Sequence, residues 1–118
     1  MLTAVALGAF GAHGLKAILS ETSLEVFKTG VFYQFVHALG IFIAVILSKL
    51  FDLQKLKTSI IFFTIGILFF SGSLYLLSTR EVTGLAVSFL GPITPIGGLF
   101  FMLGWGFMAL ETWRSKKI

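Results

Sequence analysis

Three long apolar stretches constrain this 118-residue chain more than any other feature of its sequence. Residues 31–50 carry no formal charge before Lys49, and residues 60–78 carry none at all. Residues 95–113 are uncharged until Glu111. A helix that crosses the hydrocarbon core of a bilayer needs about 20 mostly apolar residues. Each stretch is therefore predicted to be a membrane-spanning helix.

A fourth apolar stretch begins the chain and is interrupted earlier. Residues 1–12 are uncharged, but His13 and Lys16 follow. Twelve helical residues rise only about 18 Å, which is too short to cross a bilayer. Either His13 and Lys16 lie within the outer part of a span over residues 1–19, or further residues precede Met1.

The four stretches predict an all-α membrane protein, a four-transmembrane-helix bundle that forms one integral membrane domain over residues 1–118. Only 12% of the residues are charged, against about 25% in soluble domains. The hydrophobic share of 57% exceeds what a short soluble domain can bury. This composition excludes a soluble enzyme, a disordered tail and a nucleic-acid module. The expected partner is the lipid bilayer, and no nucleic acid.

The positive charges predict how the chain is oriented. With four spans, both termini and the second loop share one side, and that side carries six Lys and Arg residues against three on the other. The six are Lys49, Lys55, Lys57, Arg114, Lys116 and Lys117, and the three are Lys16, Lys28 and Arg80. Because Lys and Arg favour the cytoplasmic side, we predict a multi-pass protein of the cell membrane, the bacterial inner membrane, with both termini cytoplasmic.

Small and polar residues recur at helical spacing inside the spans and predict packing faces. They are Ala4, Gly8 and Ala12 in the first span, Gly30, Tyr33, His37, Gly40 and Ala44 in the second, and Thr64, Leu68, Ser71, Tyr75 and Ser78 in the third. Such small-residue faces also suggest a homo-oligomer. Before the second span, Thr22 and Glu25 form a capping-box pattern that predicts a helix beginning near Thr22.

The fourth span has a broken, Pro/Gly-rich start. Two prolines three residues apart do not fit the interior of a regular helix. We predict that Thr94 is the N-cap and Pro95 the first helical residue, with a non-helical segment at Gly91 and Pro92 that dips into the membrane. Gly97 and Gly98 then allow close packing of the first turn. We expect these residues to be structural.

The polar residues of the four spans are predicted to lie at a similar depth, in the outer half of the bilayer. The candidate polar cluster or ligand contact consists of His13, Tyr33, His37, Ser71, Ser73, Tyr75 and Thr94. Interhelical hydrogen bonding is one role for these residues, and contact with a lipid headgroup or solute at the broken helix is the other.

The sequence predicts no metal, cofactor or catalytic residue. Two His without Cys or an intramembrane carboxylate make a poor metal-ligand set. All five acidic residues lie in loops or near a membrane face. A Ser nucleophile such as Ser71 would need a base and an orienting acid, and His37 has no acid at its depth. We therefore expect a protein that is not an enzyme.

Four segments together resemble domain-of-unknown-function family 423. They are GAFGAHGLK at 8–16, YQFVHAL at 33–39, FSGSLY at 70–75 and LGPITPIGG at 90–98. This resemblance covers essentially the whole chain. It implies a small four-span membrane protein, mostly found in bacteria. Members of that family usually carry about a further half-span before the first motif, and this sequence departs from the pattern there. The resemblance implies no activity, because the biochemical role of that family is not established.

Two functions remain open from the sequence. One is a non-enzymatic component that supports membrane integrity or a membrane complex, in contact with lipid. The other is a small oligomeric transporter or channel for a proton, an ion or a small solute, which would use the polar residues in the outer half of the bundle.

Overall fold

Four helices make up almost all of residues 1–115, which a computed structural model of the chain describes. They are α1 (Leu2–His13), α2 (Glu21–Leu50), α3 (Leu56–Thr83) and α4 (Ile93–Arg114). Short 3-10 turns at Leu15–Ala17 and Ser88–Leu90 precede α2 and α4. In the described part, α2, α3 and the segment Ser88–Arg114 are long and apolar enough to cross a membrane. The predicted all-helical membrane architecture is confirmed.

Helix α1 is shorter than the predicted span over residues 1–19. It ends at His13, so it rises about 18 Å and covers about half of a hydrocarbon core of about 30 Å. It packs against α2, where Ala4 is fully buried and Gly11 lies directly against the ring of Phe27. The predicted ridge is wrong at Ala12, which is exposed.

Helix α2 begins at Glu21 and continues without a break into the predicted second span. Its cap is Ser20, whose side-chain oxygen accepts a hydrogen bond from the Ser23 amide at 3.2 Å. The predicted cap at Thr22 is therefore wrong by two residues. Glu25 does not complete a capping box but forms an ion pair with Lys28 at 2.9 Å. Thirty residues rise about 45 Å, so the helix extends beyond the hydrocarbon core.

Helix α3 contains one wide turn. Its first part, Leu56–Gly66, and its last part, Gly72–Thr83, are α-helical, but Ile67–Ser71 is a π-helical segment. A π turn inserts an extra residue into the helix. The segment lies against Gly97 of α4, where a side chain would collide with the backbone of Phe69 and Phe70.

The wide turn changes which residues of α3 face the bundle. The buried face runs through Phe63 and Gly66 and then continues at Ser71, five positions later. The predicted stripe through Thr64 and Leu68 is wrong, because both are exposed. It assumed a constant helical period through the π segment.

Helix α4 begins at Ile93, after an N-cap position occupied by Pro92 without a side-chain cap. The predicted cap at Thr94 is wrong, because Thr94 lies inside the first helical turn. Pro95 also fits this turn, since the first four amide groups of a helix have no intrahelical acceptor. Gly91 and Pro92 form an exposed turn between the 3-10 segment and α4.

The helices are arranged as successive neighbours rather than as a closed ring. Helix α2 packs on α1 and α3, and α3 packs extensively on α4, whereas α2 and α4 touch over a short stretch only. Within residues 1–115, α1 and α4 do not contact each other. The molecule measures 52 × 27 × 16 Å. The seam between α2 and α4 therefore opens toward the bilayer.

The core between α2, α3 and α4 explains the distribution of small residues. Its buried apolar side chains are Ala44, Leu56, Phe63, Phe101 and Met108. The glycines that we expected to serve a second copy are used within the chain: Gly30 lies against Tyr75, and Gly40 lies against Phe63 and Trp105. A homo-oligomer would therefore use other surfaces.

Candidate functional site

One buried amide, that of Gln34, joins three helices. Its Nε2 donates to Thr3 Oγ1 of α1 at 2.8 Å, and Tyr75 Oη of α3 donates to its Oε1 at 2.6 Å. Gln34 is 8% exposed. The prediction from helical spacing placed the neighbouring Tyr33 on the packed face and did not include Gln34. The available signal was an amide side chain within an otherwise apolar span, which is costly in lipid without a partner.

Three hydroxyl side chains of the predicted cluster also connect helices. Ser71 Oγ of α3 donates to the Gly30 carbonyl of α2 at 2.7 Å. Ser73 Oγ of α3 and Thr94 Oγ1 of α4 lie 2.5 Å apart in a mutual hydrogen bond. Each of these groups has a hydrogen-bond partner on a neighbouring helix, so they hold helices together.

His37 lies apart from those hydroxyl groups. The prediction of a shared cluster with Ser71, Ser73 or Tyr75 is wrong, because the imidazole packs among aromatic rings of α4 and α3. Its ring is stacked on Phe101, with centroids 3.4 Å apart and planes 8° apart.

Other rings complete the surroundings of this imidazole. Phe63 and Trp105 lie at 5.6 and 6.0 Å, centroid to centroid. The residue is 4% exposed, so the aromatic rings nearly enclose it.

The two nitrogen atoms of His37 have different environments. Nδ1 lies 2.7 Å from the backbone carbonyl of Tyr33. A carbonyl only accepts hydrogen bonds, so Nδ1 carries the proton of the neutral ring. Nε2 is then an acceptor, and it has no hydrogen-bond partner among the described residues.

His37 lines a pocket of about 510 Å³ at the open seam between α2 and α4. The pocket is lined by Tyr33, His37, Phe70, Pro95, Gly98, Leu99, Phe101, Met102 and Trp105. Leu99 and Met102 are 54% and 72% exposed, so the mouth of the pocket faces the apolar surroundings of the bundle.

The pocket lies near the middle of the membrane. Along α2, His37 is about 14 Å from Lys28 and about 18 Å from Lys49, at 1.5 Å per residue. These lysines bracket a distance close to the thickness of the hydrocarbon core, about 30 Å.

The remaining predicted site residues do not form one site. His13 is exposed at the end of α1 and does not join the other candidates. Gly91 and Pro92 lie in the exposed turn before α4, whereas Pro95 and Gly98 line the pocket of His37. Among residues 1–115, no three His, Asp or Glu side chains are grouped as metal ligands.

The helices and the pocket define a small polytopic membrane protein with a lateral pocket on its lipid-facing side. The chain belongs to the family described as "Protein of unknown function (DUF423)", whose family model matches residues 7–98. The resemblance seen in the sequence is thereby confirmed.

Relatives cover most of the chain and are named as membrane proteins. UPF0382 membrane protein YwdK of Bacillus subtilis (strain 168) is 45% identical over 105 residues, which are 88% of this chain and 81% of the relative. A UPF0382 membrane protein of Haemophilus influenzae is 44% identical, with coverages of 97% and 87%. UPF0382 inner membrane protein YgdD of Escherichia coli (strain K12) is 35% identical, with coverages of 96% and 82%. No solved structure matches the chain.

Proposed function

We propose that this protein is a non-enzymatic component of the bacterial inner membrane that binds a lipid in the pocket beside His37. Through that lipid it would support membrane integrity or a membrane complex. The observation that carries the proposal is the free Nε2 of His37, an acceptor in the wall of an apolar pocket that opens to the bilayer. An unpaired polar group in an apolar environment is costly, and a ligand from the membrane would satisfy it.

The other polar groups within the helices support a role in binding over a role in conduction. The side chains of Gln34, Ser71, Ser73 and Tyr75 bind partners on neighbouring helices. They are therefore occupied in packing and do not line a continuous polar path. The pocket beside His37 is lateral, and its walls are mainly aromatic and aliphatic.

Photocrosslinking tests the proposed binding. The purified protein would be placed in phosphatidylcholine vesicles that contain a lipid with a diazirine in its acyl chain. We expect labelling to concentrate at the pocket mouth, at Leu99 and Met102. Gly98→Leu fills the pocket, since a Cβ at Gly98 meets the Phe70 ring only at ordinary contact distance, 3.7 Å, and we expect it to reduce this labelling.

Gly106→Leu is the matched control for that variant. Gly106 is on the same helix, and a Cβ there meets nothing within 4 Å, so the labelling should remain. Two outcomes would contradict lipid binding at the pocket. The labelling could be spread evenly over exposed apolar residues, such as Phe42 and Leu68, or Gly98→Leu could leave it unchanged.

The transport alternative makes a different prediction in the same vesicles. A proton or solute pathway would raise the flux above that of protein-free vesicles, and His37→Ala would abolish the increase. We expect no such increase. Flux that depends on His37 would replace the lipid-binding proposal with transport.

We also propose that both termini face the cytoplasm. The charges that support this orientation are Lys49 at the end of α2, Lys55 in the loop that follows, Lys57 in the first turn of α3 and Arg114 at the end of α4. Lys116 and Lys117, which contribute to the same prediction, lie outside the described residues.

A further inference from the structure

The rings of Tyr33, His37 and Phe101 are close to parallel, whereas those of Phe63 and Trp105 are inclined to the ring of His37 by 53° and 58°. The planes of His37 and Phe101 differ by 8°, those of Tyr33 and His37 by 15°, and those of Tyr33 and Phe101 by 23°. Aromatic rings attract one another most strongly when they are offset-stacked or edge-to-face. A wall of nearly parallel rings beside a pocket therefore favours a flat ring as its ligand.

The hydrogen-bonding groups of the pocket restrict the ligand further. The Tyr33 carbonyl holds the proton of His37 on Nδ1, so Nε2 only accepts. The hydroxyl of Tyr33, whose side chain is 37% exposed, likewise makes no hydrogen bond among the described residues. The ligand must supply a hydrogen-bond donor to satisfy Nε2. A plain acyl chain, an ester and a ketone have no such donor and leave Nε2 unpaired.

The depth of the pocket excludes a phospholipid headgroup. His37 lies near the midplane, about 14 Å along α2 from Lys28, whereas headgroups lie at the membrane surface. A single hydroxylated ring on a hydrocarbon tail can enter the hydrocarbon core. A volume of about 510 Å³ is within the range of small-molecule sites, about 300–1,000 Å³, and accommodates one such ring with part of its tail.

We propose that the pocket selects a lipid that ends in a phenol- or quinol-type ring, which stacks on the aromatic wall and donates its O–H hydrogen bond to His37 Nε2. This inference rests on the proposed function, because it names the class of lipid that the same pocket takes. It concerns binding alone.

A pair of matched ligands tests the donor requirement. para-Decylphenol carries the O–H group, and its methyl ether para-decylanisole has a similar ring and the same tail without a donor. The chain contains two tryptophans: Trp105 lines the pocket, and Trp113 is 90% exposed. In a Trp113→Phe background, Trp105 emission therefore reports on pocket occupancy in detergent micelles.

We expect the phenol to bind about 3- to 10-fold more tightly than the anisole, which is the range for one net hydrogen bond. His37→Phe keeps a ring against Phe101 but removes Nε2, and the two ligands should then bind with equal affinity. Tyr33→Phe removes the other free hydroxyl among the described lining residues, and the preference for the phenol should persist. The indole N–H of Trp105 has no partner there either, but it only donates and so cannot accept the phenol O–H.

The outcomes separate this inference from the proposed function. Two outcomes would overturn the donor requirement without contradicting lipid binding. One is equal binding of both ligands to the unaltered pocket. The other is a preference for the phenol that Tyr33→Phe abolishes and His37→Phe retains. If neither ligand changes the Trp105 emission in a saturable way, and crosslinking is also diffuse, both the donor requirement and the proposed lipid binding are overturned. Should His37→Phe fail to fold, the comparison of the two ligands with and without Tyr33→Phe still decides the matter.

Discussion

The imidazole of His37 and the phenyl ring of Phe101 stack with centroids 3.4 Å apart and planes 8° apart. This contact joins α2 to α4 where the two helices otherwise hardly meet. The same stacking holds the imidazole against the helix, while its Nδ1 donates to the carbonyl of Tyr33. The stacked pair therefore forms part of the pocket wall, and the Tyr33 carbonyl fixes which nitrogen of His37 carries the proton.

Gly97→Ala should destabilise the protein by about 1–3 kcal/mol, the usual cost of overpacking. A Cβ at Gly97 would collide with the backbone of Phe69 and Phe70, which cannot move away as a flexible side chain would. Gly106→Ala on the same helix is the control. Its Cβ meets nothing within 4 Å, and Ala favours the helix by about 0.5–1 kcal/mol over Gly. Thermal unfolding in detergent measures both changes, and equal effects would contradict the close approach of α3 and α4.

Tyr75→Phe should lower the free energy of unfolding by about 1 kcal/mol, because Gln34 Oε1 loses its donor and interhelical hydrogen bonds in membranes have about this strength. The ring itself stays against Phe27. Tyr33→Phe is the matched change, and it should leave the stability unaltered because that hydroxyl has no partner in the described part of the chain. Equal stabilities of the two variants would refute a structural role for the Gln34 connection.

Ser71→Ala and Ser59→Ala should have opposite consequences, although both serines are fully buried. Ser71 donates to the Gly30 carbonyl, and its loss should destabilise by about 1 kcal/mol. Ser59 Oγ has no partner among residues 1–115, so replacing Ser59 with Ala removes a buried unsatisfied hydroxyl and should be neutral or stabilising. The measurement is again thermal unfolding, and a loss at Ser59 as large as that at Ser71 would disprove this assignment.

Single cysteines test the orientation cleanly, because the chain contains no cysteine of its own. Gln54→Cys lies in the exposed loop between α2 and α3, and Thr83→Cys lies at the exposed end of α3. With the termini in the cytoplasm, an impermeant thiol reagent added to intact cells should label position 83 and spare position 54. The reverse pattern would mean that the protein is inserted the other way round.

The sequence was sufficient to predict the helical membrane architecture, since runs of apolar residues identify spans with little dependence on tertiary detail. It was less informative about faces and caps. Gln34 was overlooked because Tyr33 fitted the same helical spacing, and only the packing of α1 and α3 shows that the amide is the buried side chain. The prediction of Thr94 as the N-cap was wrong because the Thr94 hydroxyl bonds to Ser73, a partner distant in sequence.

The position of His37 shows the same limit at the candidate site. Its presence in a span indicated a special environment, and the residue does line a pocket. Matching depth suggested hydroxyl neighbours, but depth does not specify the direction in which a helix face points. Phe101, which stacks on His37, looked like any other lipid-facing phenylalanine in the sequence.

The π turn of α3 makes chain length a determinant of the fold. A regular α-helix rotates by about 100° per residue, so deleting one residue within Ile67–Ser71 would restore an ordinary helix and turn its second half by about that angle. Ser71, Ser73 and Tyr75 would then point away from Gly30, Thr94 and Gln34 although each residue was still present. The number of residues in this turn, as much as their identity, decides which helices the second half of α3 can contact.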